Sequence, residues 1–438
     1  MRKKLTVLFA PINYVGPVLS SIGMAEVLRD GGHRPVFAIS QAWKQKVSSV
    51  GFEIELMDDE LTDDDDGGGG GQVADSAAAN VEELRDLLDN ISPMDKYVQT
   101  FAIMFDDLIR DIDKEEPALR TIIERVRPDI IITDHILDVP AIIQSGVPYI
   151  LSYSSNPLSL DMGLEDPRLP PSLLGLSVNS DKSEWEQLRT DLKAARRPGW
   201  LKYSDWLQSK GLPPTGECQL FSPSPYATIY MFPKELDYTD QRPLPDTFHG
   251  FDNFKRSENE DKFEVPKQLS QRSGKLVYLS LGSMGSGNVD LMKRLISMLA
   301  KSEHRFIVSK GVYHDKYELA DNMWGERSVP QVKVLSIVDL FITHGGNNSV
   351  TECMYFGKPM IVFPMFYDQY DNAQRVEDKG YGIRLNPYEC SEQQLLQSID
   401  KLLNDKQLAE KLQKLSQRIQ NERNIENLVK LVENIANK

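Results

Sequence analysis

Short apolar runs alternate along the chain with longer segments of helical period. In the first half the runs fall at residues 5–10, 35–39, 130–133, 149–153 and 227–232; in the second half they fall at 276–281, 305–309, 340–343 and 360–363. Each is apolar at successive positions, as expected for a strand buried on both faces, where alternation would mark a half-exposed one. Segments such as 18–31 and 118–127 carry the 3.6-residue period between them. Strands alternating with helices predict βαβ units, parallel sheets and right-handed crossovers. Two such blocks predict an α/β protein of two facing Rossmann-like domains with a cleft between them. Pro233, Pro243, Pro245 and Pro266 and many charges break the pattern over 233–272. That stretch divides the chain into a first domain at 1–235, a linker at 236–272 and a second domain at 273–415, followed by a terminal helix at 416–438. From Glu392 onward the pattern is helical, with Leu395, Leu396, Ile399, Leu402 and Leu403 on one face.

Composition narrows the function classes. The 438 residues carry 65 acidic and 50 basic side chains, a formal charge of −15, so no surplus of cations exists to displace counterions from a nucleic acid. Cys218, Cys353 and Cys390 are too few and too scattered for a disulfide framework or a structural zinc site, which fits a reducing compartment. No metal is expected. The apolar run after Met1 is interrupted by Pro11, Asn13, Gly16 and Pro17, which suits a first core strand better than a signal peptide. No apolar run reaches the ~18 residues of a membrane span, so the expectation is a cytoplasmic protein without a membrane anchor. Four aspartates at 63–66 followed by five glycines at 67–71 read as a surface loop.

The chemistry concentrates between Val329 and Leu385. Its centre reads Phe341-Ile-Thr-His-Gly-Gly-Asn-Asn-Ser-Val-Thr-Glu352, followed by Pro359-Met-Ile-Val-Phe-Pro364 and Asp368-Gln369. A strand ending at Thr343 would run into a tight Gly345-Gly346 turn and a helix beginning near Asn348 or Ser349. Such a turn aims free N–H groups and the positive end of the helix dipole at an anion. His344 stands at the carboxyl end of its strand, where open α/β sheets bind ligands. Ser349 and Glu352 also fit a capping box that would merely satisfy the first turn of the helix, and both readings stay open on these residues alone.

The spacing of His344, Asn348, Ser349, Glu352, Asp368 and Gln369 resembles the donor signature of the UDP-glycosyltransferases, the inverting family with the GT-B fold. The match is dense over about 55 residues, extends to Leu279-Ser-Leu-Gly-Ser283, and continues more loosely into the N-terminal strand–loop–helix. The resemblance implies that His344, Asn348 and Ser349 hold a diphosphate with Ser283 nearby, and that Gly346 belongs to the same donor site. It implies that Glu352 accepts from ribose hydroxyls, and that Asp368 and Gln369 bind the sugar. Glutamine at 369 points to UDP-glucose as donor, with no cofactor. The uracil-stacking tryptophan of plant members is replaced by Ser328, leaving recognition to the backbone around Val329 and Gln331, or to Trp324. The same resemblance implies that the terminal helix packs back on the first domain.

One expected group is missing. Counting back from Gly32-His33, the position of the family's general base is Pro17, and no histidine precedes His33. Asp134, in Pro128-Asp-Ile-Ile-Ile-Thr-Asp-His135, matches the aspartate that normally orients the base; as an isolated residue it also reads as a helix cap. His135 is a substitute base only if it shares the side of Asp134, whereas neighbours on a strand point to opposite faces. His33 reads as a structural residue at a helix end. The implied partners are a UDP-sugar and a small lipophilic acceptor, such as a phenolic or xenobiotic undergoing detoxification. Phe101, Phe105, Trp200 and Trp206 lie in the segments that would face the acceptor. The alternative from another class is a UDP-sugar-binding or ligand-scavenging protein without turnover. A dinucleotide oxidoreductase is disfavoured, because Gly282, Gly285 and Gly287 lack the spacing it needs. The sequence leaves the oligomeric state open.

Overall fold

The continuous apolar runs become the inner strands of two parallel sheets. A computed structural model describes residues 3–57, 90–160, 166–254, 256 and 263–437; the acidic and glycine tract at 63–71 lies outside them. The first sheet contains β1 (Thr6–Pro11), β2 (Arg34–Ile39), β3 (Glu53–Leu56), β4 (Ile130–Asp134), β5 (Tyr149–Tyr153), β6 (Ala227–Met231) and β7 (Phe248–Phe251), in the order β3-β2-β1-β4-β5-β6-β7. The second contains β8 (Leu276–Ser280), β9 (Arg305–Ser309), β10 (Met323–Glu326), β11 (Leu340–Thr343), β12 (Met360–Val362) and β13 (Gly382–Arg384), in the order β10-β9-β8-β11-β12-β13. Strand order reverses between β1 and β4, where Pro11 pairs with Asp134, and between β8 and β11, where Ser280 pairs with Thr343. Crevices at the carboxyl ends of strands form at such reversals. Each domain therefore offers one to the other.

Four strands were not evident as apolar runs, and they are the four sheet edges: β3, β7, β10 and β13. An edge strand is covered less than an inner one, and Glu-Ile-Glu-Leu or Phe-His-Gly-Phe needs no continuous apolar run. β7 also lies inside 236–272, so the stretch read as a linker supplies the last strand of the first sheet.

Alternation along the strands divides the first domain's core in two. Val7, Phe9, Ile130, Ile132 and Ile150 pack with Val18, Ile22 and Leu28 of helix Val15–Asp30. Leu8, Ala10, Ile131 and Leu151 face the other way, toward Phe101, Phe105 and Ile112 of helix Pro93–Val126. Helix Ser183–Ser209 lies against that long helix so closely that a Cβ on Gly199 would sit 2.3 Å from the Phe105 ring.

The C-terminal segment breaks later than position 416. Helix Lys406–Glu422 runs through that position and ends where Arg423 turns left-handed at φ 46°. Helix Asn427–Ala436 then buries Leu428, Val429, Val432 and Ile435 in the first domain's core, beside helix Val15–Asp30. Arg418 adds polar contacts to Glu235 and Asp252. Leu428 is fully buried, so Leu428→Ala is expected to cost about 2–5 kcal/mol. A urea midpoint unchanged in that variant would contradict this docking. Among the described residues no helix is long and apolar enough to cross a membrane, and no cluster of three or more His, Cys, Asp or Glu is placed to hold a metal.

Candidate active site between the two sheets

On the second domain's side, β11 delivers His344 into a turn whose Gly345 has φ +86°. Helix Asn347–Tyr355 starts there with Gly346 as N-cap, one or two residues earlier than the sequence suggested. No side chain caps it. Its first N–H groups and the dipole's positive end are thus available to an anion. The capping-box reading fails: Ser349 lies inside the helix, and Glu352 is engaged elsewhere.

The His344 imidazole is wedged between two glycines. A Cβ on Gly282, itself at φ +74°, would fall 2.6 Å from Cε1, and one on Gly346 would fall 2.5 Å from Nε2. Burial lowers the ring's pKa to about 4, which the Ser280 backbone only partly opposes. His344 is therefore neutral near pH 7, with a single N–H to donate and no buried charge. Ser283 is exposed beside Gly282, just past β8.

Glu352 is buried, with both oxygens engaged: one pairs with Arg256 and the other accepts from Gln331 Nε2 at 2.8 Å. Gln331 Nε2 also reaches Ser349 Oγ at 3.3 Å. Arg256 was not legible as a site residue, because it lies in the charged, proline-punctuated stretch and its partner is 96 positions away. The Asn348 side chain bridges the domains, donating to the Gly16 carbonyl at 3.1 Å and accepting from Ser20 Oγ at 3.0 Å. Asp368 accepts from the Asn156 N–H at 3.1 Å and Asn372 Nδ2 at 3.3 Å, and burial raises its pKa to about 6. The Gln369 side-chain carbonyl accepts from the Met365 and Phe366 N–H groups at 3.0 and 3.3 Å, fixing the loop before it. Asp371 holds the facing domain by accepting from the Leu173 and Gly175 N–H groups at 2.6 and 3.0 Å. Trp324 packs on Phe263 with ring centroids 5.7 Å apart.

Across the cleft, Pro17 lies in the first turn of helix Val15–Asp30. Asp134 is buried at the end of β4 and accepts from Ser152 Oγ at 3.1 Å and Ser154 Oγ at 3.2 Å. It caps no helix, since the next begins at Pro140. His135 does not join it. It lines a cavity of about 20 Å³ with Thr133, Asp138, Tyr149 and Ser222, its Nδ1 meets no partner, and burial lowers its pKa to about 4. His33 Nδ1 accepts from the Leu5 N–H at 3.3 Å, a structural role. Phe101 and Phe105 are core, while Trp200 Nε1 donates to Thr215 and Trp206 Nε1 to Asp113.

Burial raises the Asp134 pKa to about 7 against the two serine hydroxyls, which lower it. Between the ordinary carboxylate value and about 7, the folded state keeps a proton that the unfolded state has lost. Stability from this group therefore falls as pH rises through that window. Asp134→Asn, whose amide the two serines can accommodate by turning their hydroxyls, is expected to flatten the decline in melting temperature between pH 5 and 8. An unchanged slope would rule out Asp134 as its source.

Comparison with known proteins follows the same geometry. Residues 225–435 match the family model described as UDP-glucoronosyl and UDP-glucosyl transferase. The chain is 24% identical over 418 residues to the NDP-glycosyltransferase YjiC of Bacillus subtilis, covering 94% of this chain and 93% of that protein. It is 31% identical over 169 residues to human UDP-glucuronosyltransferase 1A6, covering 38% of this chain and 32% of that one. Among solved structures, the glycosyltransferase of kitacinnamycin superposes with a TM-score of 0.69 at 19% identity, over 99% of both chains. The spinosyn forosaminyltransferase SpnP does so with a TM-score of 0.65 at 19% identity, over 100% of both. At these identities the structural likeness establishes the shared fold.

Proposed function

Because residues 225–435 match the UDP-glycosyltransferase family model and the chain has the GT-B fold, we propose that it is a member of that family and transfers glucose from UDP-glucose to a small lipophilic acceptor with inversion at the anomeric carbon. The observation that carries this reading is the uncapped helix at Gly346 with neutral His344 wedged beside it, its Asn348 touching Gly16 and Ser20 of the first domain. In the proposed step an acceptor oxygen donates a lone pair to the anomeric carbon as the bond from that carbon to the β-phosphate oxygen breaks. The departing electron pair stays on UDP. The helix N-terminus and His344 would stabilise the charge that develops there. Val329 and Gln331 would meet the uracil, Glu352 the ribose, and Asp368 and Gln369 the sugar.

With proline at position 17, no imidazole takes the acceptor's proton, so the reading favours acceptors that arrive ionised. Loss of a general base costs about 10²–10⁴ in rate, leaving positioning and leaving-group stabilisation in place. UDP release with UDP-glucose, UDP-galactose, UDP-glucuronate and UDP-N-acetylglucosamine tests donor and acceptor together, using acidic phenols and aliphatic alcohols. UDP-glucose should turn over fastest and only with acidic acceptors, and Pro17→His should extend turnover to the alcohols. Rapid turnover of alcohols by the natural chain, unaffected by Pro17→His, would defeat this account of the base. The same proline favours the second reading, a binding protein: calorimetric binding of UDP-glucose with no UDP released on any acceptor would select it.

A further inference from the structure

Arg196, on helix Ser183–Ser209 of the first domain, is completely buried. Its Nη1 donates to the Cys218 carbonyl at 3.1 Å, and its guanidinium stacks 4.3 Å above the Phe101 ring and 5.4 Å from that of Tyr97. Nε and Nη2 meet no acceptor in good hydrogen-bond geometry, the Tyr97 hydroxyl being the polar group beside the guanidinium, and among the described residues no carboxylate pairs with it. A guanidinium stays charged inside proteins, and a buried charge is retained at considerable cost unless it is paired. Stacking on Phe101 recovers only part of that cost.

The two unsatisfied nitrogens are not a random pair. Nε and Nη2 form the side edge of the guanidinium, the edge that forks a carboxylate through two parallel N–H bonds. This protein uses that edge elsewhere: Arg34 grips Glu53 through Nε at 2.9 Å and Nη2 at 2.5 Å, and Arg418 grips Glu235 at 2.6 and 2.7 Å. At Arg196 the fork is present, and no carboxylate among the described residues fills it.

Its neighbours locate it at the domain junction. Tyr97, whose ring the guanidinium approaches, follows Lys96, which donates to the Met365 carbonyl of the second domain, and the Arg196 charge also acts on the hydroxyls of Tyr153 and Tyr367. Tyr153 ends β5 next to Ser152, which holds Asp134, and Tyr367 directly precedes Asp368. We propose that Arg196 is the subsite for a carboxylate carried by the acceptor. The inference rests on the transferase reading and narrows its acceptor class from lipophilic to lipophilic and acidic.

The test compares 4-hydroxybenzoate with its methyl ester by calorimetry in the presence of UDP, and by UDP release, on the natural chain, Arg196→Met and Arg196→Lys. The natural chain should bind the acid at least about tenfold more tightly than the ester. Met should bring the ratio near one, and Lys should restore part of it. Met should also melt no lower than the natural chain, because it removes an uncompensated buried charge. Equal binding of acid and ester by the natural chain, or a preference untouched by Met, overturns the proposal. So does a preference for UDP-glucuronate over UDP-glucose that Met abolishes while the acid-to-ester ratio stays fixed, since the carboxylate would then belong to the donor. If Met does not fold, the ratio in the natural chain and its change in Lys decide. Arg196-dependent binding of the acid without UDP release would keep the subsite and defeat the transferase reading; UDP release equal for acid and ester would do the reverse.

Discussion

His344→Ala is expected to lower kcat/KM for UDP-glucose by about 10²–10³, the usual effect of removing one preorganised donor from a developing oxyanion. Burial holds the His344 pKa near 4, so the group lost is a neutral N–H donor and the loss should be nearly constant from pH 6 to 8. Gly282 and Gly346 leave no room for a Cβ beside the ring; Gly346→Ala should therefore reproduce much of the loss by displacing an intact imidazole. His344→Gln, which retains an N–H donor, should recover part of the rate. A His344→Ala variant with unaltered kcat/KM, measured by UDP release, would remove the imidazole from the leaving-group site.

Glu352→Ala should have the largest effect on stability, about 3–5 kcal/mol, because it removes the carboxylate from a buried ion pair with Arg256. The paired change, Glu352→Leu with Arg256→Met, should recover most of that loss, since a buried ion pair replaced by apolar side chains is often neutral or better. Donor binding should not recover with it. The KM for UDP-glucose should rise at least about tenfold in both the single and the double variant, because a ribose hydroxyl that should meet a carboxylate would face a methyl group. Recovery of both stability and KM in the double variant would assign Glu352 to the fold alone.

How far these features could be read from sequence followed from how local their causes are. β1, β4, β8 and β11 are covered on both faces, so their burial is written into consecutive residues; β3, β7, β10 and β13 are edges, and their pairing depends on neighbours far along the chain. His344 was legible because a strand end, two glycines and a helix start are adjacent in sequence. The engagement of Asn348 with Gly16 and Ser20 was not, since those partners lie more than 300 positions away. Arg196 and Arg197 make the same point on one helix. Arg196 enters the core against Phe101, while the exposed Arg197 pairs with Glu217. Nothing in that dipeptide distinguishes them; the close approach of the two long helices at Gly199 does.

The central claim is that the turn from His344 into helix Asn347–Tyr355 holds the diphosphate of a uridine nucleotide. Calorimetric titration of the natural chain with UDP and with uridine tests it most directly. Charge-assisted hydrogen bonds contribute roughly 1.5–3 kcal/mol each, so even one to the diphosphate should make UDP bind at least about tenfold more tightly than uridine. That advantage should shrink in His344→Ala. UDP binding no tighter than uridine, or an advantage untouched by the loss of His344, would contradict the account.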